Sequence, residues 1–520
     1  MKRSPQIVLM VSLALMLGAC TQTVEKVVEK RVEVAVPSDI PAVPRVQRPA
    51  TPDCGPAAPS SLANLVGGFN KIEFQNYLRT PVLKAQTDLP DTVQSMIFAT
   101  KALMNSYYYG FSTVDLQALH TEYEALFRKD RPKSLALYPI NNSVDQLMVK
   151  YADAPGDEHT FYLNAAQAQS YRDSFNGAST PTPVFGVSYV PVPQNDGIVI
   201  LNVRGESPFY RAGLRRGDVI SKIDGQTLLR QGEADDVKLR ARYAVVITAA
   251  AKKSGPATPG IGQANGPAVP IEYSRAGVVQ SAISLNAQFL PALTLPWGEL
   301  RTDAEGKRNF YLRIPTFSGT QIADTVHALV TKAKTENAQS IVVDLRDNGG
   351  GRLVEFVGAA AAFSPSNAGE ILEDLTANDI IFTFDGQNII GTDTCTEKVG
   401  KPSDRYIQPI LNPVVWTGKT VVLTNQYSAS ASEIFAQVLR LGGKTRVIGE
   451  KTYGVGNTFT YNFDMPGERA LSVTSGRGKL LNKVYATADV TPDELQPDDL
   501  AKLAQGNDLA YNAAIAYLSK

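Results

Sequence analysis

The chain has 520 residues, 51 basic and 51 acidic side chains, and 43% hydrophobic residues. That length predicts two to four domains with large cores, and the charge balance, without a basic patch interleaved with aromatics, excludes nucleic-acid binding as the main role. The three histidines, His120, His159 and His327, lie far apart in the sequence, and no Cys/His/Asp cluster has zinc-ligand spacing, so neither a metal nor another cofactor is expected.

Lys2 and Arg3 precede a mostly apolar stretch over residues 7–17 that is too short to span a bilayer, which predicts a signal peptide over residues 1–19. Its end, Leu17-Gly-Ala-Cys20, resembles the bacterial lipoprotein processing box. The resemblance implies that Cys20 carries an acyl anchor in the lipid bilayer, with the mature chain on the extracytoplasmic face of a bacterial cell envelope. Residues 20–60 then read as a tether, because the proline-rich run 36–59 cannot form a long helix. Cys54 and Cys395 are the remaining thiols; a bridge between them and two free thiols are both open.

Residues 61–180 read as a helical N-terminal domain. Val93, Ile97, Phe98, Leu103 and Met104 recur near helical spacing, and residues 114–127 give a second amphipathic stretch. Residues 143–150 fit a short helix or a strand. The following run, Pro155-Gly-Asp-Glu-His-Thr-Phe-Tyr-Leu163, reads as a loop. Its His159 is placed to enter a cleft, and a histidine without catalytic function is the competing reading.

Residues 181–300 have a different signature. Phe185-Gly-Val-Ser188 is followed by a strand over 197–203, then by Ser207-Pro-Phe-Tyr-Arg-Ala-Gly-Leu-Arg-Arg-Gly-Asp218, a strand over 219–223 and the turn Asp224-Gly225. Residues 254–267 are rich in turn formers and predict an exposed excursion. From residue 301 strands and helices alternate: strand 310–314, helix 320–336, buried strand 340–345, helix 353–363, strand 421–423 and helix 431–441. This alternation predicts an α/β core with a partly parallel sheet and chemistry at the strand-to-helix junctions. Residues 500–518 predict a closing helix packed on the core.

Residues 184–229 resemble a PDZ domain. In that family an extended peptide adds to a sheet edge with its carboxylate on backbone N–H groups, which implies a peptide-binding role for Phe185, Gly186, Val187 and Ser188. Together with Ser340-Ile-Val-Val-Asp-Leu-Arg-Asp-Asn-Gly-Gly-Gly351, Ser428-Ala-Ser-Ala-Ser-Glu433 and Gly449-Glu-Lys-Thr-Tyr-Gly454, the chain resembles the C-terminal processing, or tail-specific, serine peptidases over about residues 90–520. The implied fold is multidomain α/β and α+β. It joins a ClpP/crotonase-like catalytic core over residues 301–520 to the PDZ-like β domain and the helical N-terminal region.

The same resemblance makes Ser430 the nucleophile and assigns the oxyanion donors to the backbone of Ala431 and of Gly349 or Gly350. Asp344 and Arg346 are expected to brace the loop. The family's lysine base, however, falls on Val455, 25 residues after Ser430, and valine accepts no proton. Three readings follow. His159 supplies the base, as in the related tricorn-like branch, with Asp489 as the orienting acid and Glu433 and Glu450 as rivals. Alternatively Lys451 enters from a neighbouring position, or the chain is inactive and binds peptides as a scaffold. The expected partner is a protein or peptide substrate; the oligomeric state is not legible.

Overall fold

Strands buried on both faces read as unbroken apolar runs, and two such strands, Ser340–Asp344 and Lys419–Thr424, form the centre of a six-stranded sheet. Its order is Trp297–Thr302, Arg308–Arg313, Ser340–Asp344, Lys419–Thr424, Thr445–Gly449 and Glu494–Leu495. The first pair is antiparallel and every later pair is parallel. The computed structural model describes residues 159–520 apart from 177–181, 194, 257–265, 292, 375–378, 395–405 and 466, together with isolated residues between 69 and 122.

Side chains alternate across these strands. Ile341, Val343, Val422 and Val447 face the helices Ile322–Thr335, Leu353–Ala361 and Ala431–Leu441 in the largest core. Val342, Val421, Leu423 and Ile448 face the opposite way, onto Ala510, Ala514 and Leu518 of the helix Leu509–Leu518. The parallel strands Ser340–Asp344 and Lys419–Thr424 end in register, with Asp344 opposite Leu423. The loops leaving them, which carry the glycine triplet and Ser430, therefore start side by side.

A second sheet of eight strands packs beside this core and includes Gly369–Asp374, Asp379–Phe384, Thr458–Met465 and Arg469–Lys479. It lay outside the sequence reading because its strands fall between the recognised motifs. The loop predicted over residues 155–163 is corrected at its end: Phe161–Leu163 is a strand that pairs with Arg469–Lys479. A helix, Ala165–Asn176, follows it. The predicted closing helix is also corrected. It is two helices, Leu500–Ala504 and Leu509–Leu518, parted at Gly506, whose φ of 82° ends the first.

The third sheet has seven strands, among them Val187–Pro191, Ile198–Val203, Val219–Ile223 and Val269–Arg275, with the helix Asp236–Ser254 packed against it. Asp224 and Gly225 both take positive φ at the predicted turn. Val187–Pro191 lies at the sheet's edge. The mixed parallel and antiparallel sheets with separate cores make the chain a multidomain α/β protein. Most of residues 61–158, including the predicted helical stretches and the segment 143–150, lie outside the described residues, as do Cys20, Cys54, Cys395, the signal peptide and the tether. Leu103 and Met104 are described and are buried in helix. Among the described residues no helix is long and apolar enough to cross a membrane.

One buried charge gives a direct test of the second sheet. Glu370 is 4% exposed, and burial pushes its carboxyl up from 4.5 to about 8. The folded form therefore holds its proton more tightly than the unfolded chain, so the stabilising term is complete below pH 4.5 and is lost as pH rises through about 8. Denaturant unfolding should find Glu370→Gln close to wild type at pH 4.5 and more stable by roughly 2–4 kcal/mol at pH 9. A difference independent of pH would contradict this.

Candidate active site

Ser430 occupies the turn between the strand Lys419–Thr424 and the helix Ala431–Leu441, with φ 54° and ψ −119°. A non-glycine residue in that region stores strain that its surroundings must hold. The flanking serines do this. Ser428 is fully buried and its Oγ donates to the Leu345 carbonyl at 2.9 Å, while buried Ser432 donates to the Asn348 carbonyl at 2.9 Å. Both tie the turn to the loop 345–351. Ser430, the middle serine, is half-buried; its side chain takes the Glu433 N–H in a capping box, and among the described residues its hydroxyl proton has no acceptor.

The glycine triplet is held close on the other side. A Cβ on Gly350 would lie 2.8 Å from Ser430 Cβ and 3.0 Å from the Ala431 nitrogen, and its φ is +97°. The Gly350 carbonyl accepts from the Phe317 N–H, and the Gly350 N–H donates to Asn348 Oδ1 at 2.9 Å. Of the two glycines expected to share the oxyanion role, Gly350 thus has its amide committed to an Asn348 side-chain turn. Gly349 has no such commitment, and Ala431 opens the helix with the orphan N–H that any first turn presents.

Beneath Ser430 lies Glu433, fully buried. Its Oε2 accepts from the Ser430 N–H at 2.7 Å and the Val455 N–H at 3.0 Å, and its Oε1 from the Thr452 hydroxyl at 2.6 Å and the Gly454 N–H at 2.8 Å. Burial pushes this carboxyl up to about 7, with the four donors pulling it back. Glu433 thereby fastens the Ser430 turn to the segment bearing Val455, which is itself 5% exposed. In this position it orients no imidazole. Its place at the third position of the helix, Ser430-x-x-Glu433, is a helix-start signature visible in the sequence.

His159 approaches along the second sheet. Its Nδ1 lies 2.6 Å from Thr458 Oγ1, and the Thr458 hydroxyl donates to the Val455 carbonyl at 3.2 Å. With that proton on Val455, Oγ1 accepts from Nδ1–H and leaves Nε2 as the basic nitrogen. No direct hydrogen bond joins His159 to Ser430; Thr458, Val455 and Glu433 form the chain of contacts between them. Thr458 was not legible, since nothing local marks a threonine as an imidazole partner across 299 residues.

Two expected roles meet a different arrangement. Asp489, expected to orient His159, instead pairs with Lys451 at 2.9 Å and makes no hydrogen bond to the imidazole. Lys451, the substitute base, is engaged by that carboxylate, and its side chain is 61% exposed rather than turned into the site. Glu450 accepts from the Gln426 N–H and likewise does not reach His159.

Asp344 and Arg346 brace the loop. Burial alone would raise the Asp344 carboxyl, but the guanidinium groups of Arg346 and Arg313 hold it well below the usual carboxylate range. Arg346 also binds Asp508, at 2.8 Å, and Asp498; Arg216 of the third sheet's domain reaches the same two acids. A second link between the domains runs from Asn202 Nδ2 to Asp347 Oδ2 at 2.7 Å, and Asp347 exchanges two hydrogen bonds with Asn425. The Phe185–Ser188 segment lies apart from Ser430, at the edge of the third sheet. Gly186 has φ +78°, and the Phe185 ring stacks on Phe209 at 5.2 Å.

A strained serine opening a helix beside a glycine loop, on a mostly parallel sheet, is a layout that serine hydrolases use, and the domain ahead of it has an open edge strand. Residues 309–495 match peptidase family S41 and residues 183–244 match the PDZ domain, so the chain carries an S41 peptidase region preceded by a PDZ domain. It is 27% identical over 304 residues to carboxyl-terminal-processing peptidase 3, chloroplastic, of Arabidopsis thaliana; this covers 58% of the chain but only 50% of that relative. With the carboxyl-terminal-processing protease of a Picosynechococcus species it shares 24% over 369 residues, 70% of this chain and 76% of the relative. A putative S41 protease from Bacteroides fragilis superposes with a TM-score of 0.45 at 18% identity, covering 76% of this chain and 94% of that one.

The contacts around the turn set an expectation for two substitutions. Gly350→Ala forces a Cβ against Ser430 and places a side chain at unfavourable φ. Glu433→Gln turns a two-donor amide nitrogen toward two of the four groups that now donate. Each variant should lose at least about 100-fold in modification by a serine-directed phosphonate, in line with the cost of misplaced reacting groups. Wild-type modification rates in both would show that these contacts do not shape the nucleophile.

Proposed function

We propose that the chain is a serine endopeptidase that cleaves exported proteins or protein tails on the outer side of a bacterial membrane, tethered through Cys20. The observation that carries this is the division of labour among three neighbouring serines: Ser428 and Ser432 donate their hydroxyl protons to the neighbouring loop, whereas strained Ser430 donates its own to no described residue. The names of the relatives, carboxyl-terminal-processing proteases, support the substrate class.

In the proposed reaction Ser430 Oγ attacks the peptide carbonyl carbon and its proton passes to His159 Nε2. The Ala431 and Gly349 amides receive the oxyanion; Gly350 shapes the hole and would add its donor only by leaving Asn348. Collapse breaks the C–N bond as His159 returns the proton to the departing amine. Water then attacks the acyl-enzyme and gives its proton to His159, and as the C–Oγ bond breaks and the acid leaves, His159 returns that proton to Ser430 Oγ. Thr458 takes the orienting place expected of Asp489, as a neutral acceptor for Nδ1–H.

A second reading has its own support. Val455 fills the lysine position, and the Ser430 hydroxyl is not hydrogen-bonded to His159 in this resting arrangement, as an inactive peptide-binding lipoprotein would have it. Fluorophosphonate labelling separates the two. The peptidase reading expects labelling in the wild type, none in Ser430→Ala, and losses of about 100-fold or more in His159→Ala and about 10-fold in Thr458→Val, with recovery in Thr458→Ser. No labelling of a folded wild type with intact peptide binding selects the scaffold, and full labelling of His159→Ala removes the imidazole from the mechanism.

A further inference from the structure

The PDZ domain presents a cation to its groove that no acid among the described residues neutralises. The groove lies between the edge strand Val187–Pro191 and the helix Asp236–Ser254, which Leu239 and Tyr243 anchor in the core. On the first turns of this helix, Lys238 lies 3.9 Å from Asp235, and Arg242 donates to the carbonyls of Leu229 and Arg230. Arg240, half-buried between them, has neither an acid nor a carbonyl among the described residues; its guanidinium carbon sits 6.0 Å from the ring centroid of Tyr189 on the edge strand.

Strand geometry fixes which residue of a bound tail meets it. A tail whose carboxylate rests on the Gly186 and Val187 amides adds antiparallel to the edge strand, with its last residue beside Val187. Side chains repeat every second residue, so the residue two before the end shares that face and lies beside Tyr189, under Arg240. An uncompensated guanidinium there favours a carboxylate and repels an amine.

We infer that this groove selects protein tails with aspartate or glutamate two residues before the C-terminal residue, and that Arg240 reads the acid. The inference rests on the reading of this domain as a tail-binding groove and specifies the tail it takes.

The test uses the full chain with Ser430→Ala, so that no tail is consumed, and fluorescence anisotropy with labelled peptides ending in leucine that differ only at the third-last position. The Asp peptide should bind about 10-fold more tightly than the Lys peptide, with Asn between them, and added salt should narrow the gap. Arg240→Glu should reverse the order; tighter binding of the Lys peptide by that variant also shows that it is folded. Equal affinity for all three peptides, or an unchanged order in Arg240→Glu, overturns the role of Arg240 while leaving the groove in place. Peptides with an amidated C-terminus that bind as well as the free acids overturn the groove reading itself.

Discussion

The Glu433 carboxylate is the point from which the site is organised. Its two oxygens collect donors from Ser430, Thr452, Gly454 and Val455, so one buried group sets both the strained turn and the segment packed against it. The packing leaves little freedom: a Cβ on Gly456 would fall 2.5 Å from Glu433 Cβ. Because Thr458 hangs from the Val455 carbonyl and His159 from Thr458, the orientation of the imidazole follows from the same carboxylate. The valine at position 455 thus contributes through its backbone, which carries the contacts to Glu433 and Thr458.

A second network fixes the other wall. Arg346 and Asp344 are buried together, and Arg216 brings the PDZ domain onto the acids that Arg346 holds. Removing one member of such a cluster leaves an unpaired buried charge, so its value to the fold is that of a complete set. Asn202 adds a shorter route, since it faces Ser188 across the strand pair and touches Asp347, which enters the glycine loop. The edge strand and the glycine loop are separated by a single strand.

Much of this was legible because local chemistry and global fold agree. The apolar runs 340–345 and 421–423 gave the parallel centre, the helix over 431–441 was found at both ends, and the PDZ-like turns fell where glycine and aspartate permit positive φ. The PDZ domain and the peptidase region were read from motifs carried in short windows. The second sheet was missed because strands such as Gly369–Asp374 and Asp379–Phe384 carry no motif and mix charged with apolar residues. The chemistry was hardest where it depends on long-range approach. Asp489 was chosen from its sequence position, yet Lys451 is the partner that reaches it; Thr458 meets His159 only because two distant strands pair with Arg469–Lys479.

The central claim is that an imidazole does the work of the absent lysine. A crystal structure of the chain with a peptidyl boronic acid tests it most directly. The account predicts boron bonded to Ser430 Oγ, one boron oxygen on the Ala431 and Gly349 amides, and His159 Nε2 within hydrogen-bond distance of the adduct while Nδ1 stays on Thr458. An adduct in which His159 remains remote and another side chain meets the Ser430 oxygen would contradict it.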